Sequence, residues 1–517
     1  MSGAAPFDAL VVGGGHNGLV AAALLARAGR RTLLLEASDR LGGMATLAQD
    51  CGRLSPTVVR ELGLERCGLR LSARAPRTHL LLGPDRRVTI DPDDVAATRA
   101  ALAALSPRDA DAWPGFQQRM ARLAAGLAPF LEQTPPRLSF SDWRARWPLL
   151  KLAFAVRRMG RADMRDLLRI LPMNVADLAE EVFETDALQG LVAFDAVLGD
   201  RLGARSPNSV FTLMLRYAGG APGRPGTPLC VEGGASALIA ALETAARGFG
   251  AEIRTEAPVA RILVEDGAAA GVALEDGTEL RAPLVLSSAH PGATLLNLVG
   301  PRWLDGDFVR AVRLARGRGV TARLDLTLDG PPPGLVDAAG DRFVHAPSIA
   351  MVERAFDAMK YGGVPQDPPF ALRLAARDGA LTASALVHGA PHDLRGADWA
   401  EEGPRLAARI VERLETHWPG FKARVTEARL TDPAQVAARF GAPGGHWHHL
   451  ELGLDQAFLL RPVPGWAQYA TPIDGLFLCG AGAHPGGWIT GQPGLNGARA
   501  ALAAASAGRA RAGAGGV

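Results

Sequence analysis

Phe7-Asp-Ala-Leu-Val-Val-Gly13 runs directly into Gly13-Gly-Gly-His-Asn-Gly18, and that junction leaves the chain few ways to fold. The apolar run Ala9–Val12 predicts a buried parallel strand. Leu19 to Ala28 then follows helical spacing, and Thr32–Leu35 predicts a second strand that ends at Glu36. This is a G-x-G-x-x-G sequence in the setting that gives it meaning: strand before, helix after, acid at the end of the next strand. Gly13 permits the tight turn, Gly15 lets the backbone approach a pyrophosphate, and Gly18 lets helix and strand pack closely. The helix N-terminus receives the negative charge, and Glu36 can accept hydrogen bonds from a ribose. A dinucleotide is the expected ligand.

Composition narrows what surrounds this start. With 48% hydrophobic and 21% charged residues, wholesale disorder is excluded, and 517 residues imply two or three domains. A net charge of +3 is too small for a nucleic-acid binder by bulk electrostatics. Cys51, Cys67, Cys230 and Cys479 are scattered without a CxxC pair, which argues against a disulfide scaffold, a zinc ribbon and a dithiol redox centre. Neither a signal-peptide pattern nor a membrane-length apolar run is read. The expectation is a cytoplasmic chain, soluble or peripheral on the inner face of the membrane.

Two further stretches decide which dinucleotide. Arg40-Leu-Gly42-Gly43 follows the ribose acid directly, and Gly475 to Cys479 reads as a strand leading into Gly480-Ala-Gly-Ala-His-Pro-Gly-Gly487. A helix pattern from Gly494 to Ala505 comes next. A strand, a glycine loop and a helix N-terminus suit the electron-rich edge of a reduced flavin. With Glu232-Gly-Gly234, Leu454-Asp-Gln456, Leu460-Arg-Pro-Val-Pro-Gly465 and Gly491-Gln-Pro-Gly494, these motifs resemble the phytoene desaturase-related FAD-dependent oxidoreductases. Within that family the resemblance is to the branch named for a pyridine nucleotide-disulfide oxidoreductase domain, although without CxxC a thiol–disulfide mechanism has nothing to work with.

The resemblance implies an α/β fold: a Rossmann-type FAD-binding domain, as in amine oxidases and phytoene desaturases, with an inserted α+β substrate domain. Residues 1–92, 225–302 and 441–506 would form the FAD domain, residues 93–224 and 303–440 the substrate and lid domain, and 507–517 a flexible tail. Cofactor contacts are expected from Gly13, Gly15, His16, Asn17, Gly18, Glu36, Arg40, Gly42 and Gly43. Val259 is expected to meet the adenine, and Gly480, Ala481, Gly482, Pro485, Gly486, Gly487 and Ile489 the flavin. The chain departs from the family pattern at Ala483, where Thr is common, at Trp488, where a third Gly is usual, and in a shortened segment from Ala48 to Ser55. These departures bear on the substrate rather than the cofactor.

The middle of the chain is less distinctive. Residues 93 to 200 read as helical, 303 to 440 as strands with a helix at Pro404 to Thr416, and residues 143–173 carry a basic stretch with Trp143 at its edge. Such a helix can lie in a membrane interface or present a solvated face on a bundle. His446-Trp-His-His449 invites a metal reading, but no second ligand set supports it and no metal is expected. For catalysis no residue stands out. His484 is expected in a positioning role within its loop, and Glu451, Asp455 and Arg461 are electrostatic candidates. The leading expectation is desaturation of a hydrophobic carotenoid-, isoprenoid- or lipid-like substrate by hydride transfer to FAD. A flavin amine oxidase is the second reading, and a non-catalytic binding protein on the same fold, as in Rab GDP-dissociation inhibitors, the third. Oligomeric state has no signature.

Overall fold

The computed structural model describes residues 7–514, apart from 73–74, 85, 138–153, 155–156, 220–228, 333, 336–337 and 378–379. Five parallel strands form one sheet in the order Leu476–Leu478, Leu284–Ser287, Ala9–Val12, Thr32–Leu35, Glu252–Arg254. Four of these are buried at every position, as strands covered on both faces must be. Alternation along each strand divides the residues between two cores. Ala9, Val11, Leu34, Leu284 and Leu286 face a layer that includes Leu19 to Ala26 and Leu238 to Ala246. Leu10, Val12, Leu33, Leu35, Val285 and Leu476 face the other way, onto an antiparallel meander of Val259–Glu265, Ala268–Leu274 and Glu279–Arg281. Each fully buried Leu contributes about 2 kcal/mol, so a polar residue in any of these strands would be costly.

The helices on the first face are His16–Arg27, Gly234–Gly248 and Gln492–Ala514. The last continues through Ala514, past Ala507 where composition predicts a flexible tail. Ala and Arg are strong helix formers, and they extend the helix beyond its packed part. The parallel sheet is thus assembled from chain segments far apart in sequence.

A second sheet of seven strands runs in the order Val425–Thr431, Thr321–Leu328, Ala380–His388, Phe370–Arg377, Arg342–His345, Thr78–Gly83, Arg86–Ile90. All its pairs are antiparallel except Arg342–His345 with Thr78–Gly83. This corrects the expectation that the first 92 residues belong to the nucleotide unit. The hairpin Thr78–Ile90 leaves that unit and completes the second sheet, with Leu80 and Leu81 buried on its opposite faces. The helix Trp399–His417 covers one face, and helices including Pro107–Glu132 and Asp186–Val197 pack on the other. Trp399–His417 begins before the Pro404 predicted from sequence, because Asp398 caps it by accepting from the Glu401 N–H at 2.9 Å.

Of the eight basic residues in the 143–173 stretch, Arg144, Arg146 and Lys151 lie outside the described residues, and Arg157, Arg158, Arg161, Arg165 and Arg169 lie within them. In its described part, the helix Arg161–Ile170 sets Asp166 against Arg119 and Arg169 against Glu181. No helix among the described residues is long and apolar enough to cross a membrane.

Candidate functional site: a glycine cradle and a basic cavity

The turn after the first strand places Gly13 at φ +96°, a conformation that costs an L side chain energy. Gly18 passes so close to the strand end that a Cβ there would lie 1.9 Å from the Gly13 carbonyl oxygen. Ser288 fixes the same turn from the neighbouring strand, its hydroxyl donating to the Gly13 carbonyl at 2.9 Å. Gly15 precedes the helix with no side-chain cap, and a Cβ on it would meet only the Gly42 carbonyl, 3.9 Å away. The N–H groups of His16, Asn17 and Gly18 therefore open the helix beside an unobstructed backbone, the arrangement that receives a phosphate.

Gly42 and Gly43 close on this turn. The Gly42 N–H donates to the Gly14 carbonyl at 2.9 Å, and Gly15 and Gly42 form a short parallel bridge. Glu36 accepts from the Gly14 N–H at 2.6 Å and from the N–H and hydroxyl of Ser38, each at 2.9 Å. Val259 starts its strand just after Ala257, whose N–H donates to the Glu36 carbonyl. Glu36 and Val259, the residues expected at the adenosine, thus share one edge. Arg40 does not join them: its side chain is 87% exposed and lies near Asp39. This cradle fits FAD: Gly13 to Gly18, Gly42 and Gly43 would meet its pyrophosphate and Glu36 its ribose.

The second glycine loop closes against the same turn. A Cβ on Gly480 would lie 2.2 Å from the Ser288 carbonyl oxygen, and one on Gly494 2.2 Å from that of Asn17. Gly482 sits beside Pro291, Gly486 beside Arg461 and Gly487 beside His448. The Ile489 side chain is buried in the core around the first helix. His484 donates through Nε2–H to the Phe130 carbonyl, 2.8 Å away, and Tyr469 donates to the His484 carbonyl at 3.0 Å. Gln492 and Asn496 both donate to the Glu132 carbonyl. The C-terminal turn of Pro107–Glu132, whose carbonyls lack helical partners, is thereby docked onto the loop.

Arg461 has a structural task. It is fully buried, and its terminal nitrogens donate to the carbonyls of His448, Leu450, Glu451, Gln456 and Ala481. It ties the 448–456 segment to the glycine loop at Ala481. Burial lowers its pKa to about 9. Glu451 and Asp455 turn instead to Arg316. The histidines around Arg461 are held neutral by burial: His290 and His484 are lowered to about 4 and His446 to about 3, with further lowering by the Arg461 charge. The His448 Nδ1 accepts from the Trp488 N–H at 3.0 Å, which commits that nitrogen to the loop.

Trp488 stands at φ +67°, which explains why glycine is the usual residue there. The strain costs roughly 1–3 kcal/mol. Against it, the guanidinium carbons of Arg53 and Arg216 each lie 5.2 Å from the indole centroid, and the His448 ring is 5.1 Å away. Two desolvated cation–π contacts, at roughly 2 kcal/mol each, are enough to offset that strain. Arg53, Leu131, Leu215, Leu452, Pro485 and Trp488 are among the residues lining a small cavity of about 60 Å³ beside the loop.

Sequence reasoning missed the charges behind this cavity. Asp50 pairs with Arg373 at 2.9 Å, and Asp195 with Arg342 and, at 3.5 Å, Arg216. Arg53 and Arg216 were indistinguishable from the many surface arginines; only the shortened Ala48–Ser55 segment marked the place.

Residues 18–332 match the family of flavin containing amine oxidoreductases. The chain is 31% identical to "Pyridine nucleotide-disulfide oxidoreductase domain-containing protein 2" of Rattus norvegicus, over 95% of this chain and 92% of the relative. It is 28% identical to the hydroxyneurosporene desaturase of Cereibacter sphaeroides, over 93% of this chain and 94% of that one. The fold matches a cyclohexylamine oxidase from Brevibacterium oxydans with a TM-score of 0.55, at 16% identity, covering 97% of this chain and 99% of that chain.

Proposed function

This chain belongs to the flavin containing amine oxidoreductase family as an FAD-dependent oxidoreductase, and we propose that it desaturates a hydrophobic, carotenoid-, isoprenoid- or lipid-like substrate. The observation that carries this reading is the wall of the cavity beside the glycine loop, where Leu131, Leu215, Ala218, Leu452, Pro485 and Trp488 present apolar surface. Similarity to a desaturase along nearly the whole chain supports it.

The protein's three tyrosines weigh against amine oxidation, for which an aromatic cage is the expected device. Tyr469 is buried under His484, Tyr217 donates to Gln117 at 3.0 Å, and Tyr361 is 66% exposed. Among the described residues, none of them lines the cavity.

When bound, FAD supplies a two-electron acceptor for a hydride from substrate carbon, the neighbouring proton leaving to a positioned group or water. The chain's own residues do the remaining work. The glycine cradle binds the pyrophosphate, Arg461 and Tyr469 hold the loop in shape, and the buried neutral histidines add no charge that would attract water. Anaerobic titration of the FAD-loaded protein tests the reading. Apolar isoprenoids or lipids should bleach the flavin, whereas bleaching by primary amines alone would replace it with the amine oxidase reading.

A further inference from the structure

Arg53 has no ion-pair partner among the described residues, although Glu132 lines the same cavity. Its Nε and Nη1 are shielded from solvent and have no hydrogen-bond partner. Among the described residues no carboxylate pairs with it, although buried arginines nearby are matched: Arg342 to Asp195 and Arg373 to Asp50. The cluster holds four guanidiniums, Arg53, Arg216, Arg342 and Arg373, against two carboxylates, Asp50 and Asp195. A charge excess in a desolvated site is costly unless an anion completes it. The two arginines that lie against Trp488 are on the cavity side of this cluster, and Arg53 itself lines the cavity. The volume of about 60 Å³ there is the space of about two waters, enough for a head group and not for a chain.

We propose that Arg53, with Arg216 behind it, is a subsite for the anionic head group, carboxylate or phosphate, of an otherwise apolar substrate. A planar guanidinium with unused donors matches either oxyanion. The inference rests on the desaturase reading, in which the apolar wall beside the glycine loop borders the substrate, and it narrows that class to amphiphilic acids. Uncharged polyenes would leave the Arg53 charge unmatched.

The test uses FAD-loaded protein and four ligands of one chain length: an alkanoate, an alkyl phosphate, the alcohol and the amine. Binding is read as a perturbation of the flavin absorbance, with inorganic phosphate as a control for a free ion. The alkanoate or the alkyl phosphate should bind at least about tenfold more tightly than the alcohol, and R53Q should remove that preference while R53K keeps part of it. Whichever acid binds more tightly identifies the head group. R53Q deletes an unpaired buried charge but also a cation–π contact to Trp488, so the two effects oppose each other and binding is compared on variant protein that folds and retains FAD. Equal binding of acid and alcohol would overturn the anion subsite and leave the apolar reading standing. Tighter binding of the amine would overturn both. So would failure of all four ligands to bind to protein that retains FAD. R53Q that loses FAD while keeping the acid-to-alcohol ratio would place Arg53 on the cofactor and also overturn the proposal. Inorganic phosphate binding as tightly as the alkyl phosphate, with no alkanoate binding, would reduce the site to one for a free ion and contradict it.

Discussion

The helix after the first strand crosses that strand at Gly18, where a Cβ would stand 1.9 Å from the carbonyl oxygen of Gly13. Both partners are backbone, so neither can swing aside as a side chain would. Gly18→Ala should therefore cost about 3 kcal/mol, at the upper end for overpacking, and lower FAD retention because the helix N-terminus moves with the crossing. Gly29→Ala is the control: nothing lies within 4 Å of its Cβ, and only its φ of +76° opposes the substitution. Denaturant unfolding and flavin-to-protein absorbance ratios of the two variants check this. Equal losses would contradict the packing role of Gly18.

Arg461 is a second point of concentrated stability. Its removal leaves five buried carbonyls without their charged donor. Arg461→Met should destabilise by about 3–5 kcal/mol, and Arg461→Lys by less, since an ammonium reaches fewer of the carbonyls. Urea unfolding gives the ordering. A loss below about 1 kcal/mol in the Met variant would show that the loop does not depend on this residue.

Acid should unfold the protein early. His290, His388 and His484 are buried, and burial lowers each to about 4. The unfolded chain takes up these protons below about pH 6.5 and the folded one only near 4, so the stability from neutral burial is complete above 6.5 and is lost as pH falls through that window. Asp200 works in the opposite sense, since burial raises it to about 7 and its contribution weakens as pH rises. His446, lowered to about 3, adds to these three, so the histidines outweigh Asp200 and stability should fall as pH drops from about 6.5 toward 4. Circular dichroism during acid titration should show a cooperative transition above pH 4, moved to lower pH in His388→Leu. A fold unchanged down to about pH 4 would contradict the neutral burial.

The nucleotide cradle was legible because its chemistry is backbone chemistry. Glycines at fixed spacing after an apolar strand state which atoms must approach, and Gly13, Gly18 and Glu36 can be placed from neighbours in sequence alone. The departure at Trp488 was legible as a departure, but its cause, a left-handed backbone against two arginines, needs residues from three distant segments. Arg53 and Arg216 look like any others among 56 basic residues until the fold buries them. The hairpin Thr78–Ile90 falls inside the range 1–92 expected for the nucleotide unit yet pairs in the second sheet, because nothing within a strand's own sequence names its partner.

Product identity tests the proposed reaction most directly. With an apolar substrate and an artificial electron acceptor, the recovered product should be lighter by the mass of the two hydrogens removed in forming one carbon–carbon double bond, with every heteroatom retained. Release of ammonia and a carbonyl product from an amine, with apolar substrates returned unchanged, would contradict desaturation and assign the protein to amine oxidation.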